Sequence, residues 1–90
     1  MKKAYIVTYD LDYNENCELL EEELKKYRKW WHYLDRTWII VSEETPKEIW
    51  DRIKNKINQH NNLLIIEVKN NSEGWLSTEA WDWIKKNVEN

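Results

Sequence analysis

Two carboxylates, Asp10 and Asp12, stand where an apolar run, AYIVTYD, gives way to the polar cluster DLDYNEN. A carboxylate at a strand end can hold Mg²⁺ through waters and a phosphate, which is nuclease or phosphodiesterase chemistry. The same pair also suits an ordinary turn, in which Asp side chains bond backbone N–H groups. A twofold dimer that brought two copies of Asp10 together would favour the metal. The second candidate is WWHYLDRTWIIV, Trp30 to Val41, with three tryptophans, a tyrosine and a histidine in one short stretch. Trp31, Tyr33 and Trp38, with Tyr9 nearby, offer stacking surface. Arg36 offers a fork of donors for phosphate or carboxylate, and His32 and Asp35 could fix orientation. Base–aromatic stacking is worth about 1–3 kcal/mol per base, so this set suits a small nucleotide-like ligand bound without chemistry.

Other chemistries find less support. His32 as a general base has no Ser or Cys nucleophile placed near it, and His60 reads as a helix-end residue. No Cys/His set has zinc spacing. The single glycine, Gly74, rules out a glycine-rich phosphate loop. Cys17 falls on the apolar stripe of a helix and reads as a small core hydrophobe. Alone, it forms no internal disulfide, which fits a reducing, cytoplasmic setting.

Composition narrows the partners. The chain has 90 residues, a formal net charge of −3, seven tryptophans, five tyrosines and no phenylalanine. Its one dense basic run is Lys25 to Lys29, at a helix end, so long nucleic acid is disfavoured. The longest purely apolar runs, WIIV and LLII, are too short to span a membrane.

The elements that must position these residues are legible. Ala4–Asp10 reads as a strand, and Cys17, Leu20, Leu24 and Tyr27 mark a helix over about residues 14–29. WWHYL and TWIIVS are strands joined by Asp35 and Arg36, a tight hairpin. Thr45, Pro46 and Glu48 form a capping-box start for a helix that ends near residues 59–62. NLLIIEV is a fourth strand. A loop and a helix over Thr78–Asn87 follow, capped by Ser77, with Leu76 and Trp81 placed as a hydrophobic staple. The result is one α+β domain over residues 1–90. It is a ferredoxin-like βαββαβ sandwich (1–70) with a loop and an extra C-terminal helix (71–90).

A two-residue turn pairs Leu34 with Thr37, Tyr33 with Trp38, and Trp31 with Ile40. One face then carries Trp31, Tyr33, Trp38 and Ile40, and the other Trp30, His32, Leu34, Ile39 and Val41. Both faces are apolar, yet the two main helices cover only one. The aliphatic face is expected under those helices and the Trp31/Tyr33/Trp38 face on the helix-free side. The C-terminal helix, a second copy of the chain, or a flat aromatic ligand could cover it.

The segments AYIVTYDL, WWHYLDRTWIIVS, LLIIEV and GWLSTEAWDWI resemble a SinR-like family of small proteins from bacteria and mobile elements. That family is similar in turn to the small ferredoxin-like subunit of the CRISPR spacer-acquisition complex. The resemblance implies a homodimer, and it matches Asp10 to an aspartate proposed as a metal ligand in relatives with nuclease activity. It also implies a role in phage–host conflict, such as capture of a nucleotide immune signal. The expectation is therefore a non-catalytic homo-oligomer that binds a nucleotide-like ligand and needs no cofactor. One alternative is a Mg²⁺-dependent nuclease using Asp10 and Asp12, and another is a protein-interaction module.

Overall fold

The computed structural model of the chain describes residues 1–11, 17–58 and 61–90. Along the chain run β1 (Lys3–Asp10), α1 (Glu18–Leu24), β2 (Trp30–Leu34), β3 (Thr37–Ser42) and α2 (Pro46–Ile53). A 3₁₀ turn (Lys54–Lys56), β4 (Asn62–Val68) and α3 (Thr78–Asn87) follow. The four strands form one sheet in the order β2-β3-β1-β4, with every neighbouring pair antiparallel. β3 therefore lies between β1 and β2, and β1 lies between β3 and β4. This is an α+β domain with helices on both faces of an antiparallel sheet.

Local signals explain most boundaries. Thr45 Oγ1 accepts from Glu48 N–H while the Glu48 carboxylate accepts from Thr45 N–H, and Pro46 opens the helix. Ser77 Oγ accepts from Ala80 N–H at 3.2 Å and starts α3. α1 is shorter than the periodicity predicts. Past Leu24, the N–H groups of Lys26 and Tyr27 bond to carbonyls three residues back, those of Glu23 and Leu24. That tightened last turn ends the helix. It also swings Tyr27 inward, so that its hydroxyl donates to the Glu44 carboxylate at 2.9 Å.

Each sheet face has its own core. On one, Tyr5, Val7 and Tyr9 of β1 and Trp38 and Ile40 of β3 pack against Leu20 and Leu24 of α1 and Ile49 and Ile53 of α2. On the other, Ala4, Ile39 and Trp31 pack against Ala80 and Ile84 of α3 and Val88 at its C-cap. Ala80 and Ile84 lie one helical turn apart on one stripe of α3, and Val88 continues that spacing at the C-cap. Both aromatic-rich faces are thus sheltered by the chain itself over much of their area, and the expected face assignment is overturned. Trp38 lies under α1 and α2, and Trp31 lies on the opposite face, under α3.

The cause is a β-bulge. Leu34 pairs with Thr37 as the tight turn requires, but Trp31 pairs with Ile39 and Trp30 with Ile40. Two residues of β2, His32 and Tyr33, therefore oppose the single Trp38 of β3. The extra residue shifts the register by one, and every side chain of β2 beyond it changes face.

One polar node ties this core together. The Glu44 carboxylate accepts from Tyr27, from Ser42 Oγ at 3.0 Å and from the Arg52 guanidinium. Its backbone carbonyl accepts from Tyr5 Oη at 2.9 Å. Burial alone would raise the Glu44 pKa, but the hydrogen bonds from Tyr27, Arg52 and Ser42 outweigh it and hold the carboxyl below its ordinary range. A carboxyl depressed in this way stabilises the fold above its unfolded pKa, and that contribution is lost as pH falls through the folded value. Glu44→Gln is therefore expected to lower stability at pH 7 by about 1–2 kcal/mol. In urea denaturation, the gap to the parent protein should narrow in acid, and a gap that is the same at both pH values would refute the charge-based account.

Candidate functional site

The hairpin that carries the predicted site is locked to β1 through its turn. The Arg36 carbonyl accepts from Tyr9 N–H at 3.1 Å and from Thr8 Oγ1 at 3.3 Å. Arg36 Nη1 donates to the Leu11 carbonyl at 3.1 Å. One of the five guanidinium N–H groups thereby holds the end of β1 against the hairpin. Asp35 is exposed at the turn, and its carbonyl accepts from His32 Nε2 at 2.7 Å.

The aromatics separate into two groups. Trp38 is fully buried, and its Nε1 donates to Tyr9 Oη at 3.0 Å. Burial, opposed by that bond, pushes the Tyr9 hydroxyl up to about 12. The His32 ring stacks on Trp38 with centroids 3.9 Å apart and planes 13° from parallel, and Trp30 tilts against the same indole at 5.4 Å. Across the sheet, Trp31 is buried and donates from Nε1 to the Ala80 carbonyl of α3 at 3.2 Å. Tyr33 leans on Trp31 at 5.4 Å and stays 46% exposed.

The structure therefore brings His32, Trp38 and Tyr9 together on one side and Trp31 and Tyr33 on the other. A flat ligand cannot stack on Trp31, Tyr33 and Trp38 at once. Two of those rings are core, with their N–H groups already paired. Within the hairpin, the aromatics that keep accessible surface are Tyr33, Trp30 and part of His32, with Lys25 Nζ over the Trp30 ring at 5.8 Å.

Asp10 ends β1 and is exposed beside Asn62, its partner in β4. It lines a shallow groove with Thr8, Tyr9 and Leu63. Asp12 and His60 lie outside the described residues. Among the described residues, no group of three or more His, Cys, Asp or Glu is placed to hold a metal ion. Cys17 packs against the α1/α2 core, where burial pushes its thiol up. No helix among the described residues is long and apolar enough to cross a membrane.

Two surface features were not anticipated. β4 is an open sheet edge, and Leu64 and Ile66 stand out from it 53% and 49% exposed. The run LLII was a visible signal, since no Lys or Pro interrupts it, but its place at an edge was not. The other feature is a lysine-lined cleft at the end of the sheet where β1 begins and β4 ends. Its cations are scattered along the sequence, so no local motif announces them. Comparison with protein-family models, curated proteins and solved structures finds no match to this chain.

Trp38 is the decisive residue of the predicted site. Truncating a fully buried tryptophan costs about 3–5 kcal/mol, a large share of the roughly 5–15 kcal/mol that holds a small domain folded. Trp38→Ala is expected to lower the melting temperature sharply and to broaden or abolish the thermal transition. An unchanged melt would return Trp38 to the surface.

Proposed function

We propose that this chain is a non-catalytic, self-associating module of ferredoxin-like βαββαβ topology, joined to a second copy through the open edge of β4. The strand order supports that topology. Each of its two β-α-β passages straddles a strand of the other, and α1 and α2 share one face. α3 is the addition, laid on the opposite face.

The observation that carries the proposal is the contrast between the two sheet edges. β2 is short and bulged, which spoils it as a template. β4 is seven residues long and regular against β1, and it carries no Pro and no Lys. An edge of that kind is a template for another strand. It is apolar on both sides. Leu64 and Ile66 project on the α3 face, beyond the reach of that helix. On the other face, Leu63 and Ile65 border a hollow with Pro46 and the part-exposed Trp50.

A twofold pair of β4 strands centred on Ile65 sets Leu64 of each copy against Ile66 of its partner. It places Asn62 against Val68 and makes one continuous eight-stranded antiparallel sheet. Such a contact is isologous and closes on itself. A contact made by one strand and its flanking side chains belongs with weak, transient interfaces, below the standard of about 800 Å² per partner, and association on the order of micromolar is expected. No step of chemistry is assigned to Asp10.

Light scattering on the purified protein at about 100 µM, well above a micromolar dissociation constant, is expected to give twice the mass of one chain. Ile66→Asp should give one chain mass with an unchanged circular dichroism spectrum, because the side chain is half exposed and its loss leaves both cores intact. A parent protein that stays monomeric at that concentration would sink the proposal.

A further inference from the structure

We infer that the cleft at the β1-start end of the sheet is an anion site for a compact polyphosphate group. Five lysines line it: Lys2 and Lys3 at the start of β1, Lys29 just before β2, Lys69 just after β4, and Lys86 in α3. They come from four separate segments of the chain, so the fold alone brings them together. Two carboxylates share the lining, Glu67 and Glu89, and Glu67 is paired with Lys3 at 3.7 Å.

The other four lysines have no carboxylate within ion-pair distance among the described residues. Elsewhere on the surface Lys26, Lys47, Lys54 and Lys56 do, while Lys25, over the Trp30 ring, and Lys85, in the last turn of α3, do not. Lys86 also sits in the last turn of α3, where the helix's negative end accounts for a cation. That reason does not extend to Lys2, Lys29 or Lys69. In a chain of net charge −3, a set of unpaired like charges around one concavity opposes folding by mutual repulsion, and a bound anion reverses that cost.

Shape and size narrow the ligand. The cleft holds about 230 Å³, below the roughly 300–1,000 Å³ of pockets that enclose a drug-sized molecule. It has room for a charged head and not for a whole nucleotide. Ala4, Val41 and Val68 share the lining with the cations. The cationic surface continues into a neighbouring hollow where Arg28 joins Lys2 and Lys29, opposite Glu43. Ammonium groups on flexible stems meet phosphate as point charges, which suits a chain of linked phosphates more than one fixed carboxylate. The polyphosphate is either free or the tail of a nucleotide. The cleft is complete within one copy of the chain, so the inference goes beyond self-association and does not depend on it.

The test is calorimetric titration of the whole chain with inorganic tripolyphosphate at about 0.1 M salt, where the Debye length is near 10 Å. One saturable site per chain is expected, with affinity falling as salt rises. Lys29→Gln with Lys69→Gln should weaken it at least tenfold. Lys47→Gln with Lys54→Gln removes the same charge from α2 and its following turn and should change it less than about twofold. Both pairs are exposed, so a matched melting temperature verifies folding. ATP binding as tightly as tripolyphosphate, with no binding of adenosine, supports a nucleotide's tail as the source, and failure of ATP to compete supports free polyphosphate. No saturable binding at millimolar tripolyphosphate overturns the inference. So does equal weakening by the two double variants, or a single-stranded oligonucleotide that binds tenfold tighter than tripolyphosphate. Running the titration on Ile66→Asp as well separates failure here from failure of the β4 contact.

Discussion

In the β2–β3 hairpin two residues, His32 and Tyr33, stand opposite one, Trp38, and the rest of the molecule is organised around that mismatch. Without the extra residue, the regular register would set Trp31 and Trp38 on one face. Two indoles and a tyrosine would then crowd one side of a small sheet, and the other side would be left with little to anchor α3. The regular pairing of β3 with β1 holds Trp38 on the α1/α2 side and the bulge sends Trp31 to the α3 side, so each core receives one buried indole. Fully burying an indole of roughly 150–250 Å² at about 25 cal/mol per Å² is worth about 4–6 kcal/mol as an upper bound. Dividing the two indoles gives a short C-terminal helix a reason to dock.

The absence of phenylalanine fits the same arrangement. Every buried indole or phenol that bridges elements uses its polar atom. Trp38 Nε1 meets Tyr9 Oη, Trp31 Nε1 meets the Ala80 carbonyl, and Tyr5 and Tyr27 both reach Glu44. A domain of this size has a marginal core, and these bonds add direction to its packing. They fix which strand meets which helix, where an apolar ring of similar volume would tolerate sliding. Each also carries a penalty if broken, because the remaining partner is left buried and unpaired.

Local information in the sequence went far. The hairpin turn, the strand boundaries of β2, β3 and β4, the Thr45 and Ser77 caps and the span of α3 all follow from neighbouring residues, and the structure has them where those residues place them. Which face each indole takes is not legible locally, because it turns on a single inserted residue. Asp35 and Arg36 specify the pairing of Leu34 with Thr37, but nothing in WWHYL marks where the ladder skips. That choice is made by the two helix layers competing for indoles, which is tertiary. The early end of α1 has the same origin, since Tyr27 leaves the helix to bond Glu44. The candidate site fared worse than the fold for a related reason. The aromatics cluster in sequence and are divided in space, while the lysines of the cleft cluster only in space.

What is left exposed follows from what α3 can cover. A ten-residue helix lies across β2, β3 and the start of β1 and does not extend to the Leu64 and Ile66 side chains of β4. Shifting it toward β4 would break the Trp31 N–H bond to Ala80 that holds the helix where it is. The open edge is therefore a consequence of the same indole placement that completes the second core. α3 also ends where Lys86 joins Lys2, Lys29 and Lys69, so its docking position sets one wall of the basic cleft. The bulge thereby reaches beyond the hairpin. By deciding which face holds Trp31, it fixes where α3 lies, and the position of α3 decides both which strand stays bare and which cations converge.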